Sequence, residues 1–174
     1  MGTRTDIETQ SVDISLIRLC LQEVRLFAGL KDPHIASLCQ LCRVVSYEAG
    51  DVIFHEGSVG TELFITVRGQ VRVEIWLPRE ENTTSIYQVG NHEVFGEFAL
   101  LDGHRRSATL VANGPLTVLV LSREELFTLM EHEPHMGFTI MRNLGNILAT
   151  KLRNVNLDLR GLLANQKRLF NLVV

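Results

Sequence analysis

Apolar residues along this chain keep a helical spacing towards both ends and a strand-like alternation between them. From residue 24 to 43 the apolar positions Leu26, Phe27, Leu30, Ile35, Leu38, Leu41 and Cys42 gather on helical faces, and Asp32-Pro33 is a good helix start because proline fits the first turn. That pattern predicts a helix-loop-helix whose second helix runs over 33–43. The run VVSYEAGDVIFHEGSVGTELFITVRGQVRVEIW then alternates β-branched and aromatic residues with polar ones, and Gly50, Gly57 and Gly69 interrupt it at turns. Closely spaced strands of this kind predict a small β-roll, with these glycines and Gly90 in left-handed turn positions. LPREENTTS, residues 77–85, is polar and broken by proline, which predicts an exposed hairpin loop before SIYQVGNHEVFGE returns to strand. From residue 108, ATLVANGPLTVLVLS predicts two more strands, the second apolar throughout 116–121 and therefore buried on both faces.

Helical spacing then resumes. Ser122 followed by Glu125 is a capping box for a short helix with Leu126, Phe127, Leu129 and Met130 on its apolar face. Glu133-Pro134 closes that helix and opens a longer one. From His135 the chain holds no further proline, and Leu148, Leu152, Val155, Leu159, Leu162 and Leu169 follow steps of three and four, with Gln166 in the polar gap. As a helix, residues 136–163 span about 40 Å, more than the face of a small β-roll covers. A stripe of that length predicts a parallel homodimer through the helix rather than packing on its own domain. The expected organisation is a disordered N-terminus over 1–11, a β-roll with helical flanks over 12–134, and a long dimerisation helix over 135–174. The fold class is mainly β with flanking helices (α+β): an antiparallel β-roll or jelly roll, a double-stranded β-helix, followed by that helix.

The stretch FGEFALLDGHRRSAT, residues 95–109, carries the chemistry. Gly96 lets backbone or ligand approach without a Cβ in the way, Glu97 offers a carboxylate to hydroxyl donors, and Ala99 with its neighbours offers unpaired amide N–H groups at the start of a helical turn. Arg106 brings a full positive charge, and Ser107 adds a hydroxyl beside it. This set suits a small ligand that is both anionic and hydroxylated. The plainer reading is a surface turn whose acid and bases form exposed ion pairs.

By these residues the chain resembles the cyclic-nucleotide-binding domain family, in particular its bacterial members of the catabolite activator type. The family's phosphate-binding cassette runs roughly Phe-Gly-Glu-hydrophobic-Ala-Leu, a short spacer, then Arg-Ser/Thr/Ala-Ala-Thr. The family's opening Leu-Phe-x-x-Leu is similar to Leu26-Phe27-Ala28-Gly29-Leu30, its Gly-Asp-x-Ile-Phe to Gly50-Asp51-Val52-Ile53-Phe54, and its Leu-Phe-Ile-x-x-x-Gly-x-Val to the stretch from Leu63 to Val71. The resemblance covers residues 24–152. It implies that Glu97 bonds a ribose 2′-hydroxyl, that Arg106 pairs with the cyclic phosphate, and that Gly96, Phe98, Ala99, Ser107 and Ala108 complete the ligand-binding set. It also implies a dimer through the long helix, with Asn154 and Asn156 near the base; solvent-exposed helix asparagines are the alternative for at least one of them. Arg105 departs from the pattern and leaves an alternative phosphate partner, although Arg106 directly precedes Ser107-Ala108-Thr109. Ser107 resembles the residue of bacterial cyclic AMP receptors, which implies cyclic AMP, and a hydroxyl reaching a guanine amino group keeps cyclic GMP open. Arg106→Ala is expected to cost binding with little loss of folding stability.

Composition narrows the remaining classes. The chain has 174 residues, 45% of them hydrophobic, enough for one sizeable core. A formal charge of −3, without a basic run interleaved with aromatics, does not favour a general nucleic-acid binder. No apolar run approaches a membrane span and MGTRTDIETQ has no hydrophobic signal core, so a cytoplasmic protein without membrane contact is expected, and the Asn82-Thr83-Thr84 sequon is incidental. Three cysteines, an odd number, fit a reducing compartment. Cys39 and Cys42 form a CxxC, but a zinc or iron–sulfur site needs further ligands and both lie in a helical apolar pattern, so thiols and no metal are expected. A cupin enzyme needs His-x-His with a following glutamate, whereas His34, His55, His92, His104, His132 and His135 are dispersed, so no catalytic residues and no enzyme are expected. The leading function is a cyclic-nucleotide sensor signalling to an unidentified downstream protein. The alternatives are a ligand-free docking domain or a fragment of a larger transcription regulator, channel or transporter. The regulators it resembles carry a winged helix-turn-helix after the dimer helix and this chain stops at Val174, so DNA binding by this chain alone is not expected.

Overall fold

The apolar run 116–121 lies at the centre of the molecule. In the computed structural model, which describes residues 5–7, 14–79, 81–103 and 105–172 and omits the side chains of 5–7, 99, 100, 102 and 165–172, this run is strand β9 (Leu116–Ser122). Strands β2 (Arg43–Tyr47) and β4 (Glu62–Arg68) flank β9 antiparallel, with β1 (Thr5–Ile7) beyond β2 and β7 (Val94–Phe95) beyond β4. The second sheet follows the order β3 (Val52–Phe54), β8 (Thr109–Ala112), β5 (Val71–Leu77), β6 (Asn82–Val89). Successive side chains of a strand point to opposite faces, so β9 sends Leu116, Val118 and Val120 between the sheets, where they meet Val45, Phe64 and Phe95. Leu119 and Leu121 point the other way, into a core shared with the helices. The expected antiparallel β-roll is present, and β9 is buried on both faces as its unbroken apolar run implies.

The helical layer covers the outer face of the first sheet. Helix α1 (Ile14–Glu23), the 3-10 turn Arg25–Phe27 and α2 (Asp32–Leu41) contribute Ile17, Leu21, Phe27 and Leu38 to it. A third helix, α3 (Glu97–Asp102), follows β7 within the functional stretch. Helix α4 (Arg123–His132) starts where Ser122 Oγ accepts a hydrogen bond from the Glu125 amide at 3.5 Å, the cap its sequence predicts. The long helix α5 (Pro134–Leu172) opens on proline and packs Met136, Ile140 and Leu144 into the helical core. Gly137 allows that approach, since a Cβ there would come within 3.1 Å of the Met130 backbone oxygen. Asn143 fastens the same part of α5 to the turn before α2 by donating from Nδ2 to the backbone oxygens of Leu26 and Ala28 at 3.0 and 2.8 Å. Farther along, α5 leaves the domain: Leu152, Val155, Leu159 and Leu162 are 51–66% exposed.

Several local expectations change. Helix α2 ends at Leu41 because Arg43 already pairs with Val120 as the first residue of β2. The loop expected over 77–85 is shorter, since Asn82, Thr83 and Thr84 pair with Leu77, Trp76 and Ile75 as the start of β6; two β-branched threonines suit an exposed edge strand despite their polarity. Thr5–Ile7, inside the segment expected to be disordered, pair with 44–46 of β2, where the backbone ladder outweighs a polar sequence; residues 1–4 and 8–13 lie outside the described residues. Gly90 does not adopt a positive φ, and His92 takes that conformation instead at 60°. Gln166 and Leu169 belong to α5, but their side chains lie outside the described residues.

Candidate functional site

Between β7 and β8 the chain turns sharply and folds an arginine under itself. Gly96 has φ +75°, a conformation that favours glycine, and a Cβ there would press on Arg106 Nη1. Arg106 is 6% exposed. Its Nη1 donates to the Gly96 carbonyl at 3.0 Å, its Nη2 donates to the Glu62 carbonyl at 2.8 Å, and its Cζ sits 4.1 Å above the Phe54 ring centre. Two backbone oxygens and an aromatic face therefore hold the guanidinium flat, while its buried Nε has no hydrogen-bond partner among the described residues. Burial lowers the Arg106 pKa, with Glu62 and Glu97 acting against that shift. Arg105 lies outside: it is exposed, and its Nη1 donates to the Gly57 carbonyl at 2.7 Å. The backbone of Arg106 closes the same loop, bonding Gly57 N at 2.8 Å and Ser58 O at 2.9 Å.

Glu97, the first residue of α3, is 2% exposed, and its Oε1 accepts a hydrogen bond from Lys151 Nζ on α5 at 2.7 Å. This charge-assisted contact joins residues 54 positions apart in sequence and links the long helix to the functional stretch. Two cavities adjoin it. The smaller, about 40 Å³, is lined by Phe54, Tyr87, Gly96, Glu97, Arg106 and Ala108, among others. The larger, about 300 Å³, lies between β6, the 3-10 turn and α5, with Tyr87, Glu93, Thr150, Lys151 and Asn154 in its wall. Tyr87 belongs to both.

Seven expected site residues fall in one place. Gly96, Glu97, Phe98, Arg106, Ser107 and Ala108 line the smaller cavity, Phe98 and Ser107 from exposed positions; Ala99 is in the first turn of α3, its side chain outside the described residues. Asn154 is apart from them, in the wall of the larger cavity. Asn156 is exposed and lines neither, because residues two apart on a helix do not share a face. Sequence reasoning did not reach Tyr87, Lys151 or the Arg106–Phe54 stack. Phe54 ends the Gly-Asp-x-Ile-Phe turn and was within reach, but Lys151 lies 54 positions from Glu97 and meets it only in the folded chain.

Cys20, Cys39 and Cys42 all lie in the helix-side core. Burial pushes the Cys20 thiol up to about 11 and also raises Cys39 and Cys42. Among the described residues no group of three or more histidine, cysteine, aspartate or glutamate side chains could hold a metal ion, and no helix is long and apolar enough to cross a membrane. His104 lies outside the described residues.

Residues 44–133 match the family model described as the cyclic nucleotide-binding domain. The chain is 33% identical over 135 residues to the cyclic AMP receptor protein of Thermus thermophilus, covering 77% of this chain and 60% of that protein. The crystal structure of the Thermus thermophilus catabolite activator protein superposes with a TM-score of 0.69 at 30% identity, covering 79% of this chain and 62% of that one. A cyclic nucleotide-binding domain from Methylobacillus flagellatus KT shares the fold, with a TM-score of 0.73 at 24% identity over 88% of this chain and 84% of that one. The chain spans less than two thirds of that cyclic AMP receptor protein.

Proposed function

The chain belongs to the cyclic nucleotide-binding domain family, and from that premise we propose that it is a cyclic-nucleotide sensor, with cyclic AMP as its ligand and movement of α5 as its output. The observation that carries this reading is the buried Arg106 guanidinium, fixed by two carbonyls with its Nε unpartnered, in a cavity shared with the buried carboxylate of Glu97. A fixed cation and a buried acceptor answer the two polar features of a cyclic nucleotide, its phosphate and its ribose hydroxyl. Ser107, in the same wall, and the likeness to a protein named for cyclic AMP favour cyclic AMP over cyclic GMP. The Lys151–Glu97 contact supports α5 as the responding element: a ligand hydroxyl at Glu97 changes what Lys151 meets, so affinity depends on where α5 lies. A parallel homodimer through the exposed apolar stripe of α5 is part of this reading, the stripe being Phe138, Met141, Leu152, Val155, Leu159 and Leu162. The signal then passes to a downstream protein.

A second reading, a docking domain that binds no nucleotide, is favoured by one observation: the cavity around Arg106 measures only about 40 Å³. Isothermal titration with cyclic AMP and then cyclic GMP, with light scattering on the same sample, separates the two. A ligand of about 22 non-hydrogen atoms is expected to bind near 10 μM or tighter, one per chain. Absence of heat and of competition, from folded protein freed of carried-over nucleotide, would leave the docking domain.

A further inference from the structure

We propose that Tyr87 is the specificity-determining residue of the nucleotide site: its side chain is the partition between the two cavities, and its position sets how large a base the site admits. This inference rests on the cyclic-nucleotide reading above. The two cavities are complementary and separately insufficient. The one holding Arg106 and Glu97 has the charged groups, but at about 40 Å³ it falls well below the range for ligand pockets. The one under α5, at about 300 Å³, reaches the lower end of the range for ligand pockets, roughly 300–1,000 Å³, but Arg106 and Glu97 are not in its wall. The Lys151–Glu97 contact runs from one to the other and marks the path between them, with the carboxylate proposed for the ribose hydroxyl at one end. Tyr87 lines both cavities along this path.

Three features fit Tyr87 to that role. It lies on β6, which ends its sheet and, among the described residues, pairs only with β5, so its backbone is held on one side while the residue as a whole is 45% exposed. Phe95, in the wall of the smaller cavity, is 2% exposed and packed against Phe64, so it has no comparable freedom. A half-exposed aromatic ring changes rotamer readily, whereas a core ring does so only with its neighbours. Tyr87 shares one cavity with Glu97 and the other with Lys151 and Glu93. Desolvation raises its pKa, Lys151 opposes that shift, and Glu97 and Glu93 add to it. Once the ring turns aside, the two volumes join, and its face is available for stacking on the base.

The test is a ratio of affinities. Cyclic AMP and N6-benzyl cyclic AMP are titrated into the parent chain, Tyr87→Ala, Tyr87→Thr and Tyr87→Phe. Threonine suits an exposed strand position and keeps the test valid if the alanine variant folds poorly. Removing the ring in Tyr87→Ala or Tyr87→Thr is expected to shift the ratio towards the benzyl ligand by about tenfold or more, while Tyr87→Phe keeps the parent ratio. A ratio within about twofold of the parent in both ring-deleted variants overturns the proposal. A parent that binds neither cyclic AMP nor cyclic GMP overturns the underlying sensor reading instead, so the two failures are separately visible.

Discussion

The adjacent arginines differ in what surrounds them. Arg105 donates to an exposed loop carbonyl, while Arg106 holds two backbone oxygens and covers Phe54. Arg106→Ala is therefore expected to weaken cyclic AMP binding by about 2–5 kcal/mol, whereas Arg105→Ala stays close to the parent; parallel titrations check this. The structure also revises the expectation that Arg106→Ala leaves folding stability almost untouched. Two part-buried carbonyls lose their partner, at about 1 kcal/mol or more, which a urea melt detects. Cys20 gives a pH-dependent prediction. Its thiol is raised from 9.0 to about 11 in the folded chain, so the native state favours the protonated form. That contribution is fully present below the unfolded value and is lost as pH rises from about 9 to 11, on the order of 3 kcal/mol in all. Melting curves across this window should fall more steeply for the parent than for Cys20→Ala. Gly96, Glu97 and Arg106 were legible as letters in a fixed order, because each is demanded by its own local backbone or charge. Tyr87 and Lys151 were not, because an alternating tyrosine and a helical lysine look ordinary until the tertiary fold brings them to Glu97.

At the scale of elements, α5 is held by its first half and freed by its second. Its inner residues Met136, Ile140 and Leu144 pack in the helical core, Asn143 ties it to the turn before α2, and Lys151 links it to the functional stretch. Lys151→Met removes that link and leaves a buried carboxylate without its cation. The expected result is faster hydrogen exchange in α5 from about residue 147 onward and a loss of about 1–3 kcal/mol in stability, while exchange in β9 remains slow. Unchanged exchange in α5 would mean that Lys151 does not restrain the helix. The existence of α5 was plain from proline-free, three-and-four periodicity, and the α4 cap from Ser122 and Glu125. Helix α1 was less legible: Ile14, Leu16 and Leu19 are exposed while Ile17, Cys20 and Leu21 are buried, so apolar residues surround the helix and blur its face. The start of β6 was missed for the opposite reason, since an edge strand exposed from Asn82 to Gln88 carries no apolar alternation to read.

For the whole molecule, the unclaimed apolar surface of α5 decides assembly. Leu152 and Val155 are 62% and 59% exposed and make no part of either core, so Leu152→Glu with Val155→Glu should leave the fold intact. In a parallel dimer, the same pair places like charges across the seam, and light scattering is expected to change from a dimer to a monomer mass. A parent that is already monomeric at micromolar concentration removes the homodimer from the proposed function. The layered fold was readable because β9 is apolar on both faces, and so must lie between two layers; the cavities beside it were not, because a void is defined by residues from several elements at once. The position of β9 also affects how the chain is made. Its partners β2 and β4 begin at Arg43 and Glu62, long before Leu116 has been synthesised. Growing from its N-terminus on a ribosome, the chain must therefore carry two hydrophobic strands without their shared neighbour until residue 122 emerges, so nascent chains truncated before β9 should be protease-sensitive and those extending past α4 should become resistant together.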